Sequence, residues 1–256
     1  HDTFEIMLFR SLVGFLIVVS VATAMGRLSE IRAQHLGLHS ARNLFHFTGQ
    51  NLWFYAVTVA PLAQVFALEF TTPIWVTLLA PLFLGERLTR TRLLVALLGF
   101  VGILIVARPW SEPIEAGVIT AAASAIGFAA TTIATKRLTR VATVTCILFW
   151  LTVFQAVFGV IAVAWDGSVK WPTLVPLPWL IVVGCAGLFA HLCITQALTC
   201  APATVVAPLD FLRLPLIAVI AMAVYDEPLV IWVFVGALVI FAANTINLRS
   251  EARRGS

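Results

Sequence analysis

Charge is scarce in this sequence. Only 11% of its 256 residues are Asp, Glu, Lys or Arg, 61% are hydrophobic, and the mean hydropathy is +1.02. An ordinary soluble domain is about a quarter charged and about half apolar. A soluble fold of this length needs a charged surface, and these residues are too few to build one. The 16 Lys and Arg outnumber the 12 Asp and Glu, giving a net charge of +4. They are scattered over short connections and form no stripe along one face, which argues against a nucleic-acid interface. Cysteine is sparse as well. Cys146, Cys185, Cys193 and Cys200 all fall in apolar stretches, with no Cys-x-x-Cys and no His at a ligand interval. They read as small apolar residues, and neither a disulfide framework nor a metal is expected. The patterns GxxxxGK[ST], GxSxG and HExxH do not occur, so nothing points to nucleotide-driven work or to hydrolysis, and no cofactor is expected.

What is present is apolar length. Nine apolar stretches occupy 3–25, 41–59, 62–84, 91–107, 114–135, 142–165, 177–200, 203–225 and 229–248. A helix rising 1.5 Å per residue crosses a hydrocarbon core about 30 Å thick with about 20 residues, so each stretch is expected to span a membrane. Pro61, Pro73, Pro81, Pro202, Pro208 and Pro215 belong to the third and eighth stretches or open them. Kinks are expected there, with packed neighbours or polar groups taking up the freed carbonyls. No basic leader precedes the first stretch, which therefore reads as a span and not as a signal peptide.

Positive charge is sorted onto alternate connections. One side receives Arg27, Arg32 and Arg42; Arg87, Arg90 and Arg92; Lys136, Arg137 and Arg140; and Arg249, Arg253 and Arg254. The other side has only Arg108 and Lys170. The richer side is expected to be cytoplasmic, with the C-terminus on it. Trp110, Trp165, Trp171, Trp179 and Trp232 then lie near the outer boundary, at the headgroup level that indole favours.

Two segments repeat. Ala60-Pro61 recurs as Ala201-Pro202, an offset of 141, and the same offset carries Glu69 onto Asp210, Phe70 onto Phe211 and Glu86 onto Glu227. An offset of 140 lays Met7-Leu8-Phe9-Arg10 on Ile147-Leu148-Phe149-Trp150, so the first span corresponds to the sixth. The fifth span then lacks a partner, and one further helix is expected before His1. Five spans per half invert the second half relative to the first, the architecture of many secondary transporters. The halves divide as 1–108 and 109–256. Glu69 and Asp210 each stand eight residues past a Pro, which is about 12 Å along a helix and near the midplane of a core about 30 Å thick.

These residues resemble a known family. Leu52-Trp53-Phe54-Tyr55-Ala56, Ala60-Pro61-Leu62-Ala63, Phe70-Thr71-Thr72-Pro73, Leu84-Gly85-Glu86-Arg87-Leu88 and a Gly99-x-x-Gly102 helix ending at Arg108-Pro109 are similar to an EamA-like half of the drug/metabolite transporter superfamily. Ala201-Pro202-Ala203, Ala207-Pro208-Leu209-Asp210-Phe211-Leu212-Arg213-Leu214-Pro215 and Asp226-Glu227-Pro228 repeat the theme. The resemblance implies an all-α integral membrane protein, nine of whose ten helices (five plus five, inverted) lie in this chain. It implies small-metabolite transport by alternating access, in a branch similar to S-adenosylmethionine uptake carriers. Glu69 departs from the small or hydroxyl residue expected there.

A charged side chain at mid-depth costs a few kcal/mol, so it faces a cavity or a partner. Glu69 is the first candidate for a substrate or proton site. Asp210 and Arg213, three apart, share a helix face and either neutralise each other or exchange partners with a charged substrate group. Arg10 faces the same choice, with Glu5 as a structural companion. In the second span His46, Gln50, Trp53 and Val57 follow helical spacing. Gln50 and Tyr55 map by the 141 offset onto His191 and Gln196. Phe66, Phe70, Trp75 and Phe211 are candidates to line a pocket for a flat ring. The substrate-site candidates are thus Glu69, Asp210, Arg213, Gln50, Trp53, Tyr55, His191, Gln196 and Arg10.

The resulting expectation is a secondary carrier for an amino acid, S-adenosylmethionine or a similar amphiphile in the inner membrane, with a proton gradient as the candidate energy source. Its partners are a small-molecule solute and the lipid bilayer, not nucleic acid, and assembly as a homodimer is left open. An intramembrane enzyme needs a nucleophile with its base, or paired acids at catalytic reach. A scaffold gains nothing from acids at mid-depth. Both rank below the carrier.

Overall fold

The computed structural model describes residues 3–60, 62–107, 116–166 and 177–213, and beyond these 235, 238–239, 241–243, 245–246 and 249. All regular structure among the described residues is helical. The α-helices are α1 (Thr3–Ala24), α2 (Leu36–Val59), α3 (Leu62–Glu69), α4 (Thr72–Leu84), α5 (Arg90–Ala107), α6 (Ala116–Leu138), α7 (Val144–Asp166), α8 (Leu177–Cys200) and α9 (Ala203–Val206). Short 3-10 segments cover Leu28–Glu30 and Ala207–Leu212. Among the described residues, four segments, Phe4–Ala24, Gly117–Leu138, Val144–Trp165 and Leu177–Cys200, are long and apolar enough to cross a membrane.

Helix propensity alone does not explain these elements. α7 is rich in Val, Ile, Phe and Trp, residues that in water suit a pleated, half-buried strand. In lipid the backbone must satisfy its own N–H and C=O groups, and a helix does so within one segment. Hydroxyls follow the same rule. Ser11 donates to the carbonyl of Met7 at 2.6 Å, Thr77 to that of Pro73 at 2.7 Å and Ser124 to that of Ala121 at 2.7 Å, so each polar group closes on its own helix. Trp165 and Trp179 are 93% and 70% exposed at the ends of α7 and α8, as expected of indoles at a headgroup level.

The third apolar stretch is not one helix. α3 ends at Glu69 and α4 begins at Thr72. Pro73 is the cause: it has no N–H to return to the carbonyl four residues earlier, which is that of Glu69. The Thr72 hydroxyl donates to that carbonyl instead, at 2.6 Å. The start of the eighth stretch behaves similarly, because α9 gives way to the 3-10 segment Ala207–Leu212, with Pro208 in its first turn. Residues 214–225 of that stretch, most of the ninth, and Arg108, Lys170, Trp110, Trp171, Trp232, Pro215, Asp226 and Glu227 lie outside the described residues. α2 starts at Leu36, ahead of the expected 41, so Arg42, counted above with the connection charges, lies in the second turn of a helix.

The described residues pack into two compact units. The first contains 1–47 and 134–200, the second 48–133 and 201–256, so α2 and α6 supply residues to both. In the first unit α1 packs against α7 and α8. Small residues permit the approach: a Cβ on Gly184 would stand 2.9 Å from Val13 Cγ1, and one on Gly159 would stand 3.1 Å from Leu8 Cα. Lys136 donates to the Leu198 carbonyl at 2.6 Å, placing a cation at the C-terminal end of α8, where the helix dipole favours it.

In the second unit α5 packs against α3, α4 and the segment Ala207–Leu212. A Cβ on Gly99 would overlap the Phe211 ring, so this helix contact requires glycine. α4 ends at Gly85, whose φ of +69° is the left-handed C-cap that glycine adopts at least cost. The chain then turns so that Glu86 accepts hydrogen bonds from Ala203 N–H (2.8 Å), Thr204 N–H (3.1 Å) and the Thr204 hydroxyl (2.7 Å). Glu86 thereby caps α9, whose own N-cap residue, Pro202, supplies no side-chain acceptor.

Candidate functional site

The second unit brings three ionisable side chains together where helices lose regular geometry. Glu69 is the last residue of α3, Asp210 lies in the 3-10 segment, and Arg213 follows that segment. Arg213 Nη2 stands 2.5 Å from Glu69 Oε1 and 3.5 Å from Asp210 Oδ2. Its first partner is therefore the acid 144 residues away, not the one three residues before it. The second Glu69 oxygen accepts from Trp53 Nε1 at 2.7 Å, which fixes the carboxylate while Oε1 faces the guanidinium. With all three groups ionised the cluster carries one net negative charge.

Aromatic rings line this cluster. Arg213 Cζ lies 5.0 Å from the centroid of Phe70, within cation–π range. Phe70 continues to Phe66 and Phe211, each with centroids 6.4 Å away, and Phe66 meets Trp53 edge-on at 6.2 Å. Phe70 and Phe211 are fully buried. They form a rigid backing for groups that are themselves partly open, since Arg213 and Asp210 side chains are 42% and 43% exposed while Glu69 is 12% exposed.

The first unit holds a different polar cluster. Arg42, 2% exposed, donates through Nε to the Thr135 hydroxyl (3.1 Å) and through Nη1 to Asn43 Oδ1 (2.9 Å). Its Nη2 lies 3.3 Å from His191 Nδ1. A guanidinium only donates, so this nitrogen accepts and the ring proton sits on Nε2. His46 packs edge-on to His191 with centroids 4.7 Å apart. Arg10 lies beside Gly187 of α8, and with Ser11, Gln155 and His191 it lines a small hollow of about 20 Å³. That is room for about one water. A second hollow of about 370 Å³ lies among Glu30, Arg32, Gln34, His35, Thr143 and Cys146, in the connections before α2 and α7. Among the described residues no three His, Cys, Asp or Glu side chains group to hold a metal ion.

The family model "EamA-like transporter family" matches residues 1–108 and 115–249. The chain belongs to the EamA-like transporter family. The riboflavin transporter of Brucella anthropi is 32% identical over 228 residues, 87% of this chain and 80% of that protein. The S-adenosylmethionine uptake transporter of Rickettsia bellii is 26% identical over 253 residues, 98% of this chain and 85% of that protein. A crystal structure at 17% identity matches with a TM-score of 0.81, covering 100% of this chain and 90% of that one; this is a likeness of fold. The EamA-like chain is accordingly a multi-pass membrane protein of a transporter family.

The expected site residues divide between the two units of this EamA-like transporter. Glu69, Asp210, Arg213 and Trp53 come together in the second. Gln50, half-buried, and Tyr55, 53% exposed, belong to the same unit. Arg10 and His191 lie in the first unit, as does Gln196, which is exposed. Of the aromatic candidates, Trp75 is 37% exposed, whereas Phe66, Phe70 and Phe211 form the ring chain. Two residues of evident structural consequence were not candidates. The charge of Arg42 points to a connection, although its spacing from His39 and His46, three and four residues, is that of one helix face. Glu86 stood out only as a repeat landmark, and nothing local to it announces a helix N-terminus 117 residues away.

Proposed function

We propose that this protein is a secondary transporter that moves a small metabolite across the inner membrane by alternating access, with the Glu69–Arg213–Asp210 cluster as its charged centre. The observation that carries this reading is the convergence of those three side chains at the two points where helices lose α geometry. Discontinuous helices free backbone and side-chain groups at mid-depth, which is where transporters bind solutes and coupling ions. Both halves of the sequence contribute an acid, in keeping with a ten-helix inverted repeat whose C-terminus is cytoplasmic. The relatives named for riboflavin and S-adenosylmethionine handle solutes that join a planar ring system to a polar tail. The chain of Trp53, Phe66, Phe70 and Phe211 offers ring faces beside polar groups, which suits that class.

Energy comes from a gradient in this reading. One proton taken up by Glu69 cancels the net charge of the cluster and loosens its hold on Arg213, and release of the proton restores both. The break between Glu69 and Thr72 supplies a place for α3 and α4 to move against each other, since Pro73 gives no N–H to the Glu69 carbonyl. The test uses the full chain in vesicles with radiolabelled riboflavin or S-adenosylmethionine and an imposed pH gradient. Accumulation of chemically unchanged solute together with proton movement is expected for the wild type, and the solute-driven proton movement is lost in Glu69→Gln. Undiminished proton movement in that variant removes Glu69 as the coupling group, and chemically altered solute replaces the carrier reading with an enzyme.

A further inference from the structure

We propose that Glu69, Phe70 and Trp53 form a recognition site for an organic cation, and that Arg213 occupies it in this structure as a tethered stand-in for the substrate. The inference rests on the carrier reading and names the class of solute at the same centre.

The Arg213 guanidinium shows what the site selects. It meets a carboxylate oxygen at 2.5 Å and an aromatic face at 5.0 Å, the two contacts by which proteins hold organic cations in water-poor surroundings. Neither contact is loose. Trp53 holds the other carboxylate oxygen at 2.7 Å, and Phe70 is fully buried between Phe66 and Phe211. The receiving side is therefore rigid.

The occupant is replaceable. Arg213 reaches in from a position that leaves its side chain 42% exposed, over an acid only 12% exposed. It also has a second partner ready, because Asp210 Oδ2 is already 3.5 Å away on the same turn. A cation arriving at Glu69 moves Arg213 onto Asp210 and leaves neither charge unpaired. Removing an ion from a partly buried pair without this alternative would leave an uncompensated charge, at large cost.

Charge decides the class. With all three groups ionised the centre is short of one positive charge. A monocation brings it to neutrality, a neutral solute leaves the deficit, and an anion deepens it. A proton on Glu69 supplies the same single charge, so proton and cation exclude each other at this carboxylate. The proton movement of the carrier cycle thus follows from competition for one oxygen pair.

The test measures binding to the purified full-length protein by calorimetry, with three probes. S-adenosylmethionine carries a sulfonium, S-adenosylhomocysteine has the same skeleton with an uncharged sulfur, and riboflavin is a neutral planar ring. Wild type is expected to bind the sulfonium compound about tenfold tighter than its uncharged analogue, a difference of about 1.4 kcal/mol. Arg213→Gln removes the tethered competitor and raises the affinity for the sulfonium compound about tenfold more, leaving the analogue unchanged, while Glu69→Gln abolishes the discrimination. Equal affinity of wild type for the two sulfur compounds overturns the proposal, and that measurement depends on no variant folding. So does an Arg213→Gln protein that folds and binds the cation no tighter. Vesicles that take up riboflavin and ignore the cation leave the carrier reading standing and remove this one. Cation discrimination in binding, with no solute crossing vesicles, does the reverse.

Discussion

Removing the Glu86 carboxylate tests how the second unit is held together. Ala203 and Thr204 are fully buried, and both of their N–H groups depend on Glu86 at 2.8 and 3.1 Å. Pro202 supplies no capping oxygen, so Glu86→Ala leaves two buried donors without an acceptor. Each such group costs about 1–3 kcal/mol, giving about 2–6 kcal/mol in all. The Thr204 hydroxyl adds little, because it can rotate to another acceptor. Glu86→Gln keeps one carboxyl-type oxygen but turns an amide donor toward the others, so about half of the loss is expected. Thr204→Val removes the hydroxyl bond alone and costs about 1 kcal/mol. At about 2–4 °C per kcal/mol for a chain of this size, thermal unfolding of the purified protein followed by tryptophan fluorescence should separate the three variants in that order. Glu86→Ala unfolding at the wild-type temperature would refute the assignment of a cap.

Three further outcomes follow from the packing. Thr72→Val removes the hydroxyl that satisfies the Glu69 carbonyl at 2.6 Å and should lower stability by about 1 kcal/mol. Adding Pro73→Ala restores an N–H to that carbonyl, so the double variant should unfold later than Thr72→Val alone; an additive loss would show that the carbonyl is not the issue. Gly184→Ala should cost about 1–3 kcal/mol through its 2.9 Å approach to Val13, and Val13→Ala in the same chain should recover part of it in thermal unfolding. Gly99→Ala should be at least as damaging, since the new methyl enters the fully buried Phe211 ring, whereas Gly37→Ala, in α2 with open space around it, should not lower the unfolding temperature and should raise it slightly through helix propensity.

Features repeated along the chain are legible in the sequence alone. The seventh apolar stretch, 177–200, coincides with α8, because apolar length is set by membrane thickness and needs no partner to define it. Pro73 announced a kink, although not its place: the break falls one turn earlier, at Glu69, because a proline withdraws the donor owed to the carbonyl four residues before it. Where a boundary is amphipathic the reading failed by several residues. Leu36-Gly37-Leu38-His39-Ser40 is too polar to count as membrane-spanning, yet it is helical, and it buries His39 completely within the first unit. Arg42 misled in the same way, since positive charge near a span end normally means a connection, and only the surrounding Thr135, Asn43 and His191 explain a guanidinium inside the helix.

The choice of partner by Arg213 was beyond reach of spacing rules, and its reason is physical. Spacing favours Asp210, three residues away on the same turn. The attraction between two charges grows as the surroundings become less polar, and Glu69 is 12% exposed where Asp210 is 43% exposed. Trp53 adds a donor to Glu69 that no hydrogen bond gives to Asp210 among the described residues. The indole also holds the carboxylate in one orientation, so Arg213 pairs with it without first ordering a mobile acid. Burial and preorganisation together outweigh proximity along the chain, and both arise only once α2, α3 and the 3-10 segment have come into one unit. Trp53→Phe isolates this effect: it keeps the ring and removes the donor, so Arg213 should divide its time between the two acids, and the cation affinity of the centre should fall with that loss of order. A Trp53→Phe protein with wild-type affinity for S-adenosylmethionine would mean that burial alone holds Glu69 in place.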